Sequence, residues 1–125
     1  MPIQIKIEVK NLQEIRRAFQ QFPEKIIPEL KTAVIKSALM VEREAKILAP
    51  VDTGRLRSSI NTSYGIGTLG IGARVATDVE YAIYVHEGTR RMRARPFMAQ
   101  AVSASESMIQ DFFNRAVEVA VSKIQ

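Results

Sequence analysis

Residues 60–77, INTSYGIGTLGIGARVAT, decide what kind of fold this chain adopts. Ile60, Thr62 and Tyr64 take every second position, and after a glycine-rich break Ile71, Ala73, Val75 and Thr77 do so again. Period two is the mark of a half-buried strand. The break, GIGTLG at 65–70, suits a turn, so the segment predicts a β-hairpin. Gly65, Gly67 and Gly70 also spell G-x-G-x-x-G. A phosphate-cradling loop of that pattern needs a helix directly after it, because the helix amino end holds the pyrophosphate. IGARVAT alternates as a strand instead, so the glycines read as a mobile hairpin tip that needs unusual backbone angles.

On the amino-terminal side, Ile3, Ile5, Ile7 and Val9 alternate with Gln4, Lys6, Glu8 and Lys10, a further strand. Asn11 and Glu14 form an Asn-led capping box before Leu12, Ile15, Ala18, Phe19 and Phe22, a helix that Pro23 ends. Pro28 suits the first turn of a second helix. There Ile27, Leu30, Val34, Ala38, Val41, Ala45 and Leu48 form one apolar row, and Ile26, Ala33, Met40 and Ile47 form another beside it. Pro50 marks its end, and Asp52 or Thr53 caps a short turn through Leu56.

Beyond the hairpin, YAIYVHE at 81–87 admits a strand or a helical turn, and Gly88 behind it favours a short helix. RRMRAR at 90–95 is a basic loop. Pro96 opens a last helix with Phe97, Met98, Ala101, Val102, Met108, Ile109, Phe112, Phe113, Ala116, Val117 and Ala120 as its apolar positions. The order strand, helices, short strands, helix predicts an α+β fold: a small antiparallel β-sheet packed by two long α-helices plus shorter helices. Nothing divides residues 1–125, so one domain is expected.

Composition narrows the chemistry. The hydrophobic fraction is 46% and the charged fraction 25%, ordinary for a globular domain. With no cysteine there is no disulfide, thiolate metal site or cysteine nucleophile, and one histidine excludes a multi-histidine metal site within one chain. The start, MPIQIKIEVK, predicts neither a secretory signal nor an anchor, and no stretch reaches the roughly 20 apolar residues that span a bilayer, so no membrane partner is expected. The reading expects a protein made in a cytosol. No cofactor, metal or catalytic set is expected either.

The net charge of +5 favours anionic partners. Residues 51–100 hold seven arginines and no lysine. Arg90, Arg91, Arg93 and Arg95 have no acid among them, so the loop reads as phosphate-binding, as a clamp on a partner's carboxylates, or as a solvated turn. Like-charge repulsion predicts an extended loop. No aromatic interleaves, so any DNA contact is to the backbone, without sequence reading. His86 and Glu87 resemble an acid–base pair, but adjacent side chains diverge, and His86 reads as structural or surface. Asp52 and Thr53 read as helix caps rather than catalytic groups. Each long helix is apolar around about half its circumference, wider than a small sheet covers. The surplus predicts either close packing of the helices on each other or a subunit interface.

Two blocks, APVDTGRLRSSI at 49–60 and EYAIYVHEGTRRMRARPFM at 80–98, together resemble the gene-product-ten-like tail-component family of long-tailed double-stranded DNA phages. Ala49, Pro50, Asp52, Thr53, Gly54, Leu56, Arg57, Ser59 and Ile60 match the first block of that family. Tyr81, Ala82, Tyr84, Val85, Gly88, Thr89, Met92, Pro96, Phe97 and Met98 match the second, with His86 where the family has glutamate. The resemblance implies a virion structural protein, not an enzyme, whose motif residues are mainly structural. It implies a tail-completion or neck subunit at the head–tail junction, in a homo-oligomeric ring of six- or twelve-fold symmetry. Implied neighbours are a head-closure or connector protein and a tail terminator or tail tube protein, with non-specific contact to packaged DNA; the location is the virion, with host cytoplasm during assembly. A small basic nucleic-acid-binding protein or a ribonuclease-type toxin is the alternative.

Overall fold

The computed structural model describes residues 3–7, 23–50, 54–67 and 70–124. The alternation at 60–77 forms the hairpin it predicts, and residues 3–7 complete its sheet. β1 (Ile3–Ile7), β2 (Asn61–Ile66) and β3 (Gly72–Thr77) are antiparallel in the order β1-β3-β2. Ile5 pairs with Val75 across one side of β3, and Thr62 pairs with the same residue on the other. The register shifts between Tyr64 and Ile66, at Gly65, whose φ of 74° few other residues adopt. β3 is central because it carries the small, closely packing residues. Ala73, Val75 and Thr77 are buried, whereas β2 is an edge strand of exposed and half-buried residues.

α1 (Pro23–Leu48) and α4 (Phe97–Ile124) are the two long helices, and α2 (Arg55–Ser59) and α3 (Ala82–Glu87) the short ones. α1 and α4 make the most extensive contact between elements. They run antiparallel: Lys123, near the end of α4, pairs with Glu29 near the start of α1, and Lys25 Nζ donates to the Lys123 carbonyl at 3.0 Å. Alanines allow the close approach. Ala33, Ala38 and Ala45 on α1 and Ala101, Ala116 and Ala120 on α4 are all buried. The main core gathers Val41, Leu56, Ile60, Val75 and Phe97, and a smaller one joins Ile26, Leu30, Ile71 and Ala120 at the far end. Burying side chains of this size contributes roughly 1.5–3 kcal/mol each.

The structure corrects the sequence reading at the start of the first long helix. α1 begins at Pro23, not near Pro28, so Pro23 starts a helix and Pro28 lies one turn inside it. Proline at the first position loses nothing, since that N–H has no helical partner. Pro28 forgoes one backbone bond, and the burial of Ile26 and Leu30 on either side of it offsets the loss. Part of the apolar surplus on the long helices lies outside the core. Ile47 is 57% exposed, and Leu39, Met108 and Val117 are exposed as well, although α1 and α4 cover most of each other's apolar surface. The short helix favoured at 81–87 forms, from Ala82 to Glu87. The expected helix over 12–22 with its Asn11–Glu14 cap, and the capping residues Asp52 and Thr53, lie outside the described residues. Among those described, no helix is long and apolar enough to cross a membrane.

Candidate functional site

The two blocks singled out in the sequence meet at one corner, beside the carboxyl end of α1. The first enters through Gly54, left-handed at φ 78°, which starts α2. This turn aims Leu56 and Ile60 into the core. Ser59 and Thr77 then tie α2 to the end of β3, their hydroxyls 2.5 Å apart, while the Val79 amide donates to Thr77 Oγ1. Arg55 reaches the second block directly. Its two terminal nitrogens donate to the two Glu80 carboxylate oxygens at 3.0 and 2.9 Å, and its guanidinium lies 5.6 Å from the Tyr81 ring centre. Glu80 is held below the usual glutamate range, first by its own backbone amide and then by Arg55; the same contact raises the Arg55 pKa. Arg57 is half-buried, and its Nε is buried without a partner among the described residues.

The second block turns α3 into the arginine loop. Ala82 is buried, Tyr81 and Val85 pack on the core from its edge, and Tyr84 faces outward. Gly88 ends the helix at φ 81°, ψ 171°. A side chain there would sit 2.8 Å from the Ala94 amide nitrogen and 3.0 Å from the Met92 carbonyl oxygen. The loop therefore folds back against Gly88 rather than extending, contrary to the repulsion argument. Thr89 and Met92 exchange backbone bonds at 2.9 and 3.3 Å, and the Arg95 amide donates to the Val85 carbonyl at 2.9 Å. Repulsion fails because charges in water interact weakly, by about 1 kcal/mol at 4 Å, and the side chains splay into solvent. Pro96 then leads into Phe97, which is fully buried.

His86 corrects a second expectation. Its Nδ1 does reach Glu87, at 2.9 Å, because flexible side chains close the angle between neighbouring residues. The ring is nonetheless committed to packing. Its side chain is 14% exposed, it meets Phe97 edge to face at 5.5 Å, and Nε2 is buried without a partner among the described residues. Such a ring supports the start of α4.

Arg90, Arg91, Arg93 and Arg95 are all exposed and have no ion pair among the described residues. The loop separates two hollows, and Arg93 and Arg95 border both. One, of about 360 Å³, has Pro50, Leu56, Tyr81, Val85 and Met92 for its apolar lining, with Gly54 at its edge. The other, of about 520 Å³, is shallower and reaches Ile47, Leu48 and Gln100. Of the residues singled out in the sequence, Gly54, Leu56, Tyr81 and two loop arginines thus share one cavity. Gly88 and Phe97 shape the loop from beneath, and Tyr84 does not join the cavity. Glu80 and the Ser59–Thr77 pair were not legible beforehand, since their partners lie 25 and 18 residues away in sequence. An apolar hollow rimmed by guanidiniums suits the binding of a side-chain cluster that carries carboxylates.

The sequence model of a family described as "Bacteriophage HK97-gp10, putative tail-component" matches residues 13–88. Comparisons with curated proteins and with solved structures return no match.

Proposed function

The chain belongs to the HK97-gp10-like family of bacteriophage tail components, and we propose on that premise that it is a structural, non-enzymatic subunit of a ring at the head–tail junction, where it completes the tail. The observation that carries this reading is the corner just described: the residues of both family blocks build an exposed, arginine-rimmed hollow, a surface for contact rather than for turnover. The side chains Leu39, Ile47, Met92, Met108 and Val117 are exposed and open to such contacts. In a ring, each copy touches two neighbours through different surfaces, and closure of the rotation limits the assembly. A head-closure or connector protein and a tail terminator or tail tube protein are the partners proposed above and below it.

Light scattering at rising protein concentration, alone and with the connector complex, tests the reading. The expected result is assembly into a closed ring of six or twelve copies in at least one condition, since weak interfaces depend on concentration and on a template. A strict monomer in both conditions refutes the ring. Gene context gives an independent check: capsid, portal and tail genes beside this one support the reading, and an antitoxin gene favours the toxin alternative.

A further inference from the structure

We propose that the Arg90–Arg95 loop of one copy docks on the outward face of α4 in the next copy, with Arg93 and Arg95 meeting carboxylates there and an apolar side chain entering the hollow beside them. The proposal rests on the ring reading above and names the surfaces that would build it.

Three observations converge. The loop offers four exposed guanidiniums without an acidic partner among the described residues. The adjoining cavity of about 360 Å³ is apolar in its lining, which a bare phosphate backbone does not use but a protein side chain does. Its size, near the low end of the roughly 300–1,000 Å³ of ligand sites, suits one or two side chains. The complement stands on α4. Glu106, Asp111 and Glu118 are exposed there and have no ion-pair partner among the described residues; the cations of the helix are Arg115 and Lys123, and Lys123 is taken up by Glu29. Met108, 43% exposed, stands beside Asp111 and Glu118, whereas Glu106 and Val117 lie on the other flank of the helix. At 100° per residue, Met108, Asp111 and Glu118 fall within an arc of about 80°, which also holds Arg115 and so carries two carboxylates to one guanidinium. Elsewhere Glu29, Glu42, Glu80 and Glu87 are already engaged, by Lys123, Thr62, Arg55 and His86, while Glu24 and Glu44, near opposite ends of α1, and Asp78, just after β3, have no ion pair among the described residues and form no comparable pair on one face.

Geometry sends this contact to another molecule. α4 starts at Phe97, directly after the loop. With about 1.5 Å of rise per residue, Asp111 lies some 21 Å and Glu118 some 31 Å along the helix, beyond the reach of the loop arginines of the same chain. A contact between two different surfaces of identical subunits is head-to-tail, the type that generates rings.

Charge reversal tests it. One variant carries Arg93→Glu and Arg95→Glu, the other Asp111→Arg and Glu118→Arg; all four positions are exposed, and far-ultraviolet circular dichroism with a thermal melt verifies the fold of each. Sedimentation velocity, alone and on the connector complex, is expected to show self-association at least about tenfold weaker for each variant, and recovery when the two are mixed in equal amounts, because reversed loop then meets reversed helix. Wild-type assembly that neither variant disturbs overturns this interface and leaves the ring reading standing. A wild type that stays monomeric in both conditions overturns both. If the loop variant instead assembles normally but loses DNA binding whose log–log salt slope approaches about −3.6, as four phosphate contacts would give, the loop serves DNA and the proposal fails.

Discussion

Replacing Gly88 by alanine should cost far more than the same change at Gly54, although both glycines have positive φ. Gly54 sits at φ 78°, ψ −8°, near the left-handed helical region, and an added Cβ there meets nothing within 4 Å. Only the backbone penalty applies, about 1–2 kcal/mol. Gly88 sits at φ 81°, ψ 171°, a region that is essentially glycine's alone and costs other residues about 1–3 kcal/mol. Its Cβ would also lie 2.8 Å from the Ala94 nitrogen, 3.0 Å from Ala94 Cα and 3.0 Å from the Met92 oxygen. These are backbone atoms that cannot swing aside as a side chain would, and overpacking of this kind adds about 1–3 kcal/mol. The total for Gly88→Ala is therefore about 2–6 kcal/mol, out of the 5–15 kcal/mol typical of a domain. Part of that strain can be relieved by lifting the loop, which breaks the bond from the Arg95 amide to the Val85 carbonyl. Urea denaturation of both variants measures the cost, and hydrogen exchange at the Arg95 amide reports the loop. The expected outcome is a larger loss of stability at Gly88 together with faster exchange at Arg95. Equal costs at the two glycines, with Arg95 protection unchanged, would refute the reasoning.

Three further outcomes are expected. Ser105 is fully buried in α4 with its hydroxyl unpartnered among the described residues, so Ser105→Ala should stabilise by about 1 kcal/mol in thermal denaturation, whereas Ser37, which donates to the Ala33 carbonyl at 2.7 Å, should gain nothing from the same change. Phe97→Ala removes a fully buried ring from the core and from the face of His86, and should cost about 3–5 kcal/mol by denaturant titration. Glu80 has a lowered pKa in the fold, so the folded state binds fewer protons and the contribution of Glu80 is present above its unfolded pKa and disappears as pH falls through the folded one. Melting temperatures of wild type and Glu80→Gln should differ at neutral pH and converge in acid; a gap that persists in acid would contradict this.

The periodicities carried the fold because each records which face of an element is dry. Ile71, Ala73, Val75 and Thr77 could alternate only as a strand, and Leu30, Val34, Ala38, Val41 and Ala45 could share a face only on a helix. The punctuation was legible for the same local reason: Gly88 closes α3, and Pro96 precedes α4. The sequence alone therefore determined the class of fold, the basic character of residues 90–95 and, through the two motif blocks, the family. It did not determine which strand is central, because pairing depends on partners distant along the chain, as with Ile5 and Val75. Nor did it show that Arg55 is taken up by Glu80 and stacked near Tyr81 while Arg93 and Arg95 remain unengaged, since all are arginines in similar local company. Repulsion among the loop charges pointed to an extended segment. Tertiary structure decided otherwise, because backbone bonds and the missing side chain of Gly88 hold the loop closed while water screens its charges. Which apolar residues of the two long helices remain uncovered, and so available to a neighbour, was likewise settled only when α1 and α4 packed antiparallel and left Ile47, Met108 and Val117 outside the contact.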